Sequence, residues 1–200
     1  MTRWLPAVAV VGVLAAGVVS AGAAGEVAEP AASWADDSDA LPTGDPFAPR
    51  IVERPDLVLV GVVESGSDVS RMDFHSLWMR FQNESADVEY QVEGAAYELH
   101  VQTEAQPPMH FAMAGVEVTK VEDLPPEMFA KVLPAATYAV FTMRFVDGFA
   151  VVYERIWAWL AESPYTSDPF AYDIQRYGPR FVSPEDPASE VDIYIPVRLE

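Results

Sequence analysis

Apolar and polar positions change period several times along this chain, and the changes mark its elements. Leu57-Val-Leu-Val-Gly-Val-Val63 is a continuous apolar run rich in β-branched residues, the pattern of a buried strand. Ser70 and Asp73 then form an S-x-x-D helix start, and Phe74, Leu77, Trp78 and Phe81 follow at helical spacing as one apolar stripe. After the polar stretch Asn83–Glu89, Ala96–Thr103 and Met109–Val118 read as a hairpin turning at Gln106-Pro107-Pro108. In its first strand Tyr97, Leu99 and Val101 share one face while Glu98, His100 and Gln102 take the other. Pro125-Pro126 and Pro134 punctuate a connection, and the pattern restarts. Thr137–Phe145 is a strand, Asp147-Gly148 a turn, and Val151–Leu160 a helix with Val152, Ile156, Trp159 and Leu160 inward. Strands near Phe170–Tyr177 and Val191–Val197 close the chain.

Strand, helix, strand, strand thus occurs twice, at a spacing of roughly eighty residues, which predicts an internal duplication. The implied fold is α+β, a duplicated strand-helix-strand-strand module forming a curved antiparallel sheet with two helices on one face. A central cleft where the halves meet is the expected ligand site.

Residues 51–200 carry all of this. The first 24 residues read differently: Arg3, the uncharged run Leu5–Val19 and Ala21-Gly22-Ala23 make an export signal peptide, or an N-terminal anchor if it stays uncleaved. Residues 25–50 hold Pro30, Pro42, Pro46 and Pro49 among Asp36, Asp37, Asp39 and Asp45, an acidic linker without apolar periodicity. Trp34 is its exception and either docks on the domain or does nothing.

Half of the 200 residues are hydrophobic, enough for a sizeable core. The formal charge is −19, with twelve basic against thirty-one acidic residues, which argues against nucleic acid as a partner. Such acidity serves solubility first and attraction of cationic ligands second. The absence of cysteine removes disulfides and thiolate chemistry. Neither G-x-S-x-G nor a glycine-rich phosphate loop is present, so no catalytic residue and no cofactor are assigned. His100 and His110, flanking the hairpin turn with Glu98 or Glu117 nearby, sketch a zinc site but lack ligand spacing, so no metal is assigned.

Several short segments in order carry a resemblance: Val60-Gly61-Val62, Leu77-Trp78, Ala114-Gly115-Val116-Glu117-Val118, Leu133-Pro134-Ala135, Tyr138-Ala-Val-Phe141, Trp157-Ala-Trp159-Leu160 and Ile195-Pro196-Val197. Over roughly residues 51–198 the chain resembles the GyrI-like family, small-molecule-binding domains also found as effector-binding domains of AraC-type bacterial regulators. The resemblance implies a ligand pocket whose floor, in family members, carries the Glu of a Phe-Glu-x-Tyr strand. The matching residues here are Ile174-Gln175-Arg176-Tyr177, so the charge is lost and an amide stands in its place. Asp173, two residues back on the same face, is a candidate to restore it. Regulatory relatives place a helix-turn-helix domain before this one; the segment 1–50 in that place predicts a copy acting outside the cytoplasm, periplasmic or secreted.

The function expected from these readings is an exported small-molecule-binding protein, monomer or weak dimer, holding a largely apolar, aromatic or cationic organic ligand. Gln175 and Tyr177 are the expected polar contacts, with Tyr97, Phe111, Trp157 and Tyr194 as aromatic walls. The alternatives are a hydrolase of a small organic compound using Asp173 or Asp192, and an acidic envelope protein-interaction module.

Overall fold

The computed structural model describes Trp34 and residues 48–104, 106–168 and 170–200. The segment read as an export signal, and the linker apart from Trp34 and residues 48–50, lie outside the described residues. Among the described residues nine strands are present: β1 (Arg50–Arg54), β2 (Leu57–Gly66), β3 (Gln91–Gln102), β4 (His110–Val118), β5 (Phe129–Leu133), β6 (Ala136–Arg144), β7 (Tyr165–Ser167), β8 (Asp173–Tyr177) and β9 (Glu190–Leu199). Two helices, α1 (Phe74–Glu84) and α2 (Phe149–Glu162), sit where the two apolar stripes predict them. The α+β class and the doubled strand-helix-strand-strand order are both present.

The strand order is β1-β6-β9-β8-β3-β4-β2-β5, antiparallel throughout, with β7 added on β9. Each half therefore contributes one side of the sheet, and the halves meet at β8 and β3. The edge strands are exchanged. Only Pro55-Asp56 separates β1 from β2, and only Pro134-Ala135 separates β5 from β6, yet β1 pairs with β6 and β5 with β2. A two-residue link spans at most about 10 Å. The sheet must therefore curl until its ends lie close together, while β1 and β5 remain its open edges. The sequence pattern missed β1 and β5 as strands because both are five residues long and end beside a proline, which has no N–H to extend a ladder.

Curling separates the two faces. The face without helices encloses one core, in which Leu57, Leu59, Tyr97, Leu99, Met113, Leu133, Tyr138, Val140, Ile174 and Tyr194 surround Trp34. On the helix-bearing face, Leu77 and Phe81 of α1 cover Val60, Val62, Ala114 and Val116, and Val152 and Ile156 of α2 cover Phe141, Ile193 and Ile195. Helix α1 starts at Asp73, whose carboxylate accepts from the Ser76 backbone N–H at 3.0 Å; Ser70 instead bonds Asp68, so the start signal is the aspartate alone.

One glycine pair belongs to the curvature. Gly61 and Gly115 are partners on β2 and β4. A Cβ on Gly61 would lie 2.0 Å from the Ala114 carbonyl oxygen, and one on Gly115 would lie 2.7 Å from that of Val60. Only hydrogen fits where these backbones approach.

Candidate functional site

The sheet register draws one transverse row across the helix-bearing face: Phe141, Ile193, Gln175, Glu98, Ala114, Val62. Its ends are apolar and lie under α2 and α1. Its middle two members are polar, and they sit where the two halves join. Paired residues on neighbouring strands have Cβ atoms about 5 Å apart, so Glu98 stands directly beside Gln175. Next along the strands comes the row Asp173, His100, Ala112, Glu64, and on the other side Tyr177 pairs with Ala96.

Both central groups are buried, Glu98 at 5% exposure and Gln175 at 4%. The carboxylate of Glu98 accepts from the Trp78 indole N–H of α1 at one oxygen, and His100 Nε2 lies 2.7 Å from the other. Gln175 accepts from the Tyr177 hydroxyl at 2.9 Å, and its amide nitrogen lies 3.2 Å from the same His100 Nε2. Aromatic rings close the site: Phe74 lies 5.4 Å from the His100 ring, and Trp78 and Phe181 each lie 5.0 Å edge-on from Tyr177. From α2, Tyr153 reaches Gln175, with Trp157 behind it at 6.2 Å. Burial pushes the Tyr177 and Tyr153 hydroxyls well above the usual phenol range, so both are neutral donors.

Burial also pushes Asp173 up to about 7, with the charge of His100 pulling the other way. Its proton is held more tightly in the folded chain than in the unfolded one, so its stabilising contribution is full below about pH 4 and is lost as pH rises to about 7. Asp173→Asn is expected to flatten that part of the stability curve. It should raise the urea unfolding free energy at about pH 8 by on the order of 1–2 kcal/mol, with little effect at about pH 4.

The residues expected from sequence divide into two groups. Gln175 and Tyr177 share the central site, and Trp157 stands at its rim, 45% exposed on α2. Tyr97 and Tyr194 are on the opposite face, fully buried around Trp34, because odd-numbered β3 residues and even-numbered β9 residues point into the curl. They stand on the other side of the sheet from Gln175. Phe111 is also on that face, where with Tyr172 it lines two open cavities of about 430 and 210 Å³. Asp192 likewise faces inward, held by Arg180 at 2.6 Å and Thr142 at 2.6 Å, and is no neighbour of Asp173. His100 and His110 pair with Ala112 and Gln102 rather than with each other.

Sequence reasoning missed Glu98, Trp78 and Tyr153 as members of the site. Glu98 had a signal: it is the one carboxylate among Tyr97–Val101, on the strand face opposite the apolar set. Its pairing with Gln175 is a long-range register that no local pattern holds.

Residues 47–198 match the GyrI-like small molecule binding domain. The chain belongs to the GyrI-like family. It is therefore a small-molecule-binding domain of the effector-binding kind. It is 33% identical over 159 residues to the transcriptional regulator BrlR of Pseudomonas aeruginosa, a match covering 74% of this chain and 54% of BrlR. The chain thus spans about half the length of that relative. Among solved structures, SAV2435 bound to tetraphenylphosphonium superposes with a TM-score of 0.60 at 17% identity, covering 75% of this chain and 93% of the other. An integron cassette protein, VCH_CASS2, from the mobile metagenome of Vibrio cholerae, gives 0.55 at 18% identity, covering 76% and 96%. At such identities these two likenesses speak for the fold.

Proposed function

We propose that this GyrI-like domain binds an aromatic or lipophilic organic cation in the cleft between α1 and α2, with Glu98 as its counter-charge. The observation that carries this reading is the placement of Glu98. By the resemblance, Gln175 stands where family members carry the floor carboxylate, and a buried carboxylate stands immediately beside it on the neighbouring strand. A charge needed at the floor of the cleft is therefore kept, moved by one strand. Phe74, Trp78, Tyr153 and Tyr177 supply the ring faces and edges that suit a flat or multi-ring cation. Trp78 covers the carboxylate with its own N–H, so an entering cation replaces that donor. The bound tetraphenylphosphonium of SAV2435 supports the choice of a lipophilic cation as a probe. The N-terminal run of Leu, Val, Ala and Gly after Arg3, ending in Ala21-Gly22-Ala23, supports the further proposal that the ligand is met outside the cytoplasm.

Calorimetric titration of the full chain with tetraphenylphosphonium and with neutral triphenylphosphine oxide tests the reading. A hydrogen-bonded buried charge contributes about 1.5–3 kcal/mol, so Glu98→Gln is expected to weaken the phosphonium by about 10- to 100-fold. The phosphine oxide should be changed by less than about threefold. Equal loss of both probes, or phosphonium binding that ignores the substitution, would remove Glu98 from the role.

A further inference from the structure

His100 Nε2 sits between two groups that ask opposite things of it. The Glu98 carboxylate, 2.7 Å away, needs a proton on that nitrogen, whereas the Gln175 amide nitrogen, 3.2 Å away, can donate only to its lone pair. The two hydrogen bonds cannot exist together. With Nε2 protonated, Glu98 has an internal partner and the 3.2 Å contact is no hydrogen bond. With Nε2 bare, Gln175 donates to it, and Glu98 faces a lone pair with only Trp78 still donating. A carboxylate in that second state lacks a counter-charge, and a cationic guest supplies one.

We infer that His100 is the specificity-determining residue of this cleft, an internal cation that competes with cationic guests for Glu98 and yields to them when its Nε2 loses its proton. This rests on the reading of the cleft as the ligand site. Imidazole is the side chain whose charge changes across physiological pH, and its surroundings leave few other charges to interfere. From β3 it meets Glu98. From β8 it meets Asp173, its register partner, with Gln175 and the neutral Tyr177. Helix α1 presents the uncharged Phe74 and Trp78, and α2 the neutral Tyr153. From β4, His110 stands on the same face two positions from Ala112, and beyond Ala112 Glu64 is already paired with Arg80 at 2.6 Å. His75, also on α1, is exposed and lies one residue off the stripe that faces the sheet.

Asp173 adds to the same effect. Burial holds its proton to about pH 7, so above that range it adds a second negative charge beside Glu98. With His100 protonated and Asp173 neutral, Glu98, His100 and Asp173 carry no net charge between them, and a cation finds no surplus charge to answer. At alkaline pH the same three side chains carry two negative charges, and the cleft suits cations.

Tetraphenylphosphonium and triphenylphosphine oxide serve as probes because neither titrates between about pH 5.5 and 8.5, so any change in affinity belongs to the protein. For the full chain, phosphonium affinity is expected to rise by about tenfold or more over that interval, while phosphine oxide affinity stays flat. In His100→Gln, phosphonium binding at about pH 5.5 should approach the wild-type value at about pH 8.5, with only a shallow slope left from Asp173. An unchanged circular dichroism spectrum and denaturant midpoint show that the variant is folded. His100→Gln with Asp173→Asn should abolish the slope. Wild-type phosphonium binding that depends on Glu98 but not on pH overturns the His100 role and leaves the ligand site standing. A full slope persisting in His100→Gln overturns it as well. Failure of both probes to bind at any pH overturns the site and this inference together.

Discussion

Trp34→Ala is expected to lower the unfolding free energy of the full chain by about 3–5 kcal/mol, the cost of emptying a buried Trp position. Trp34 is 1% exposed. Its ring lies 5.2 Å from both Tyr138 and Tyr194, with the Arg54 guanidinium at 6.0 Å. The indole N–H donates to the Pro55 carbonyl at 3.1 Å, and the backbone N–H donates to Glu117 at 3.3 Å. Truncation removes the ring and leaves that carbonyl without its donor. Urea unfolding monitored by far-ultraviolet circular dichroism measures the loss. Trp157→Ala is the control: with that ring 45% exposed, its change should stay below about 1 kcal/mol. A loss at Trp34 no larger than that of the control would show that the docked ring carries no stability. Trp34 lies thirteen residues before the start of the family match at residue 47, so a fragment cut at that boundary should be destabilised by a similar amount.

Asp192→Ala should cost a similar amount, about 3–5 kcal/mol, for an electrostatic reason. Asp192 is 2% exposed and takes two bonds from Arg180 Nη2, at 2.7 and 2.6 Å, and one from the Thr142 hydroxyl. Arg176, itself 2% exposed, lies 3.7 Å away and links onward to Tyr97, whose hydroxyl donates to Glu117 at 3.2 Å. Removing the aspartate leaves two guanidinium groups close together in the curl with one neutralising partner fewer. Breaking a buried pair costs far more than the pair contributes net, because an uncompensated charge stays behind. Glu190→Gln is the comparison, since that carboxylate, 27% exposed, meets Arg180 at 3.1 Å nearer the surface and should cost under about 1 kcal/mol. Denaturant midpoints of both variants measure the difference. If Asp192→Ala and Glu190→Gln cost the same, the buried network is held by something other than its ions. The same chain of contacts explains why Asp192, a candidate acid on sequence grounds, is occupied structurally.

Strand face was legible where alternation was strong. Tyr97 and Leu99 fall in the enclosed core, and Glu98 and His100 fall on the helix-bearing face, as alternation requires. What alternation cannot say is which set faces a ligand. The aromatic set invited assignment to the cleft, but a curling sheet puts Tyr97 and Tyr194 inside and leaves Glu98 and His100 under the helices. Gln175 and Tyr177 were found together because they are two apart on one strand, so local geometry alone places them on one face. Helical periodicity cannot single out Trp78 and Tyr153, since a helix position one step off the buried line looks alike whether it meets solvent or a polar floor.

By itself the sequence determined the helices, the long strands, the duplication and the family, because periodicity and residue order are local properties that survive without a fold. Trp34 carried no such period, and its docking became visible only once a core existed to receive it. The placement of the buried carboxylate of Glu98 beside Gln175 was decided by tertiary structure alone. Residues 98 and 175 are far apart along the chain, and only the pairing of β3 with β8 makes them neighbours. That pairing in turn depends on an exchange of edge strands through two proline-bearing links, a constraint spread over the whole sheet rather than written in any one segment.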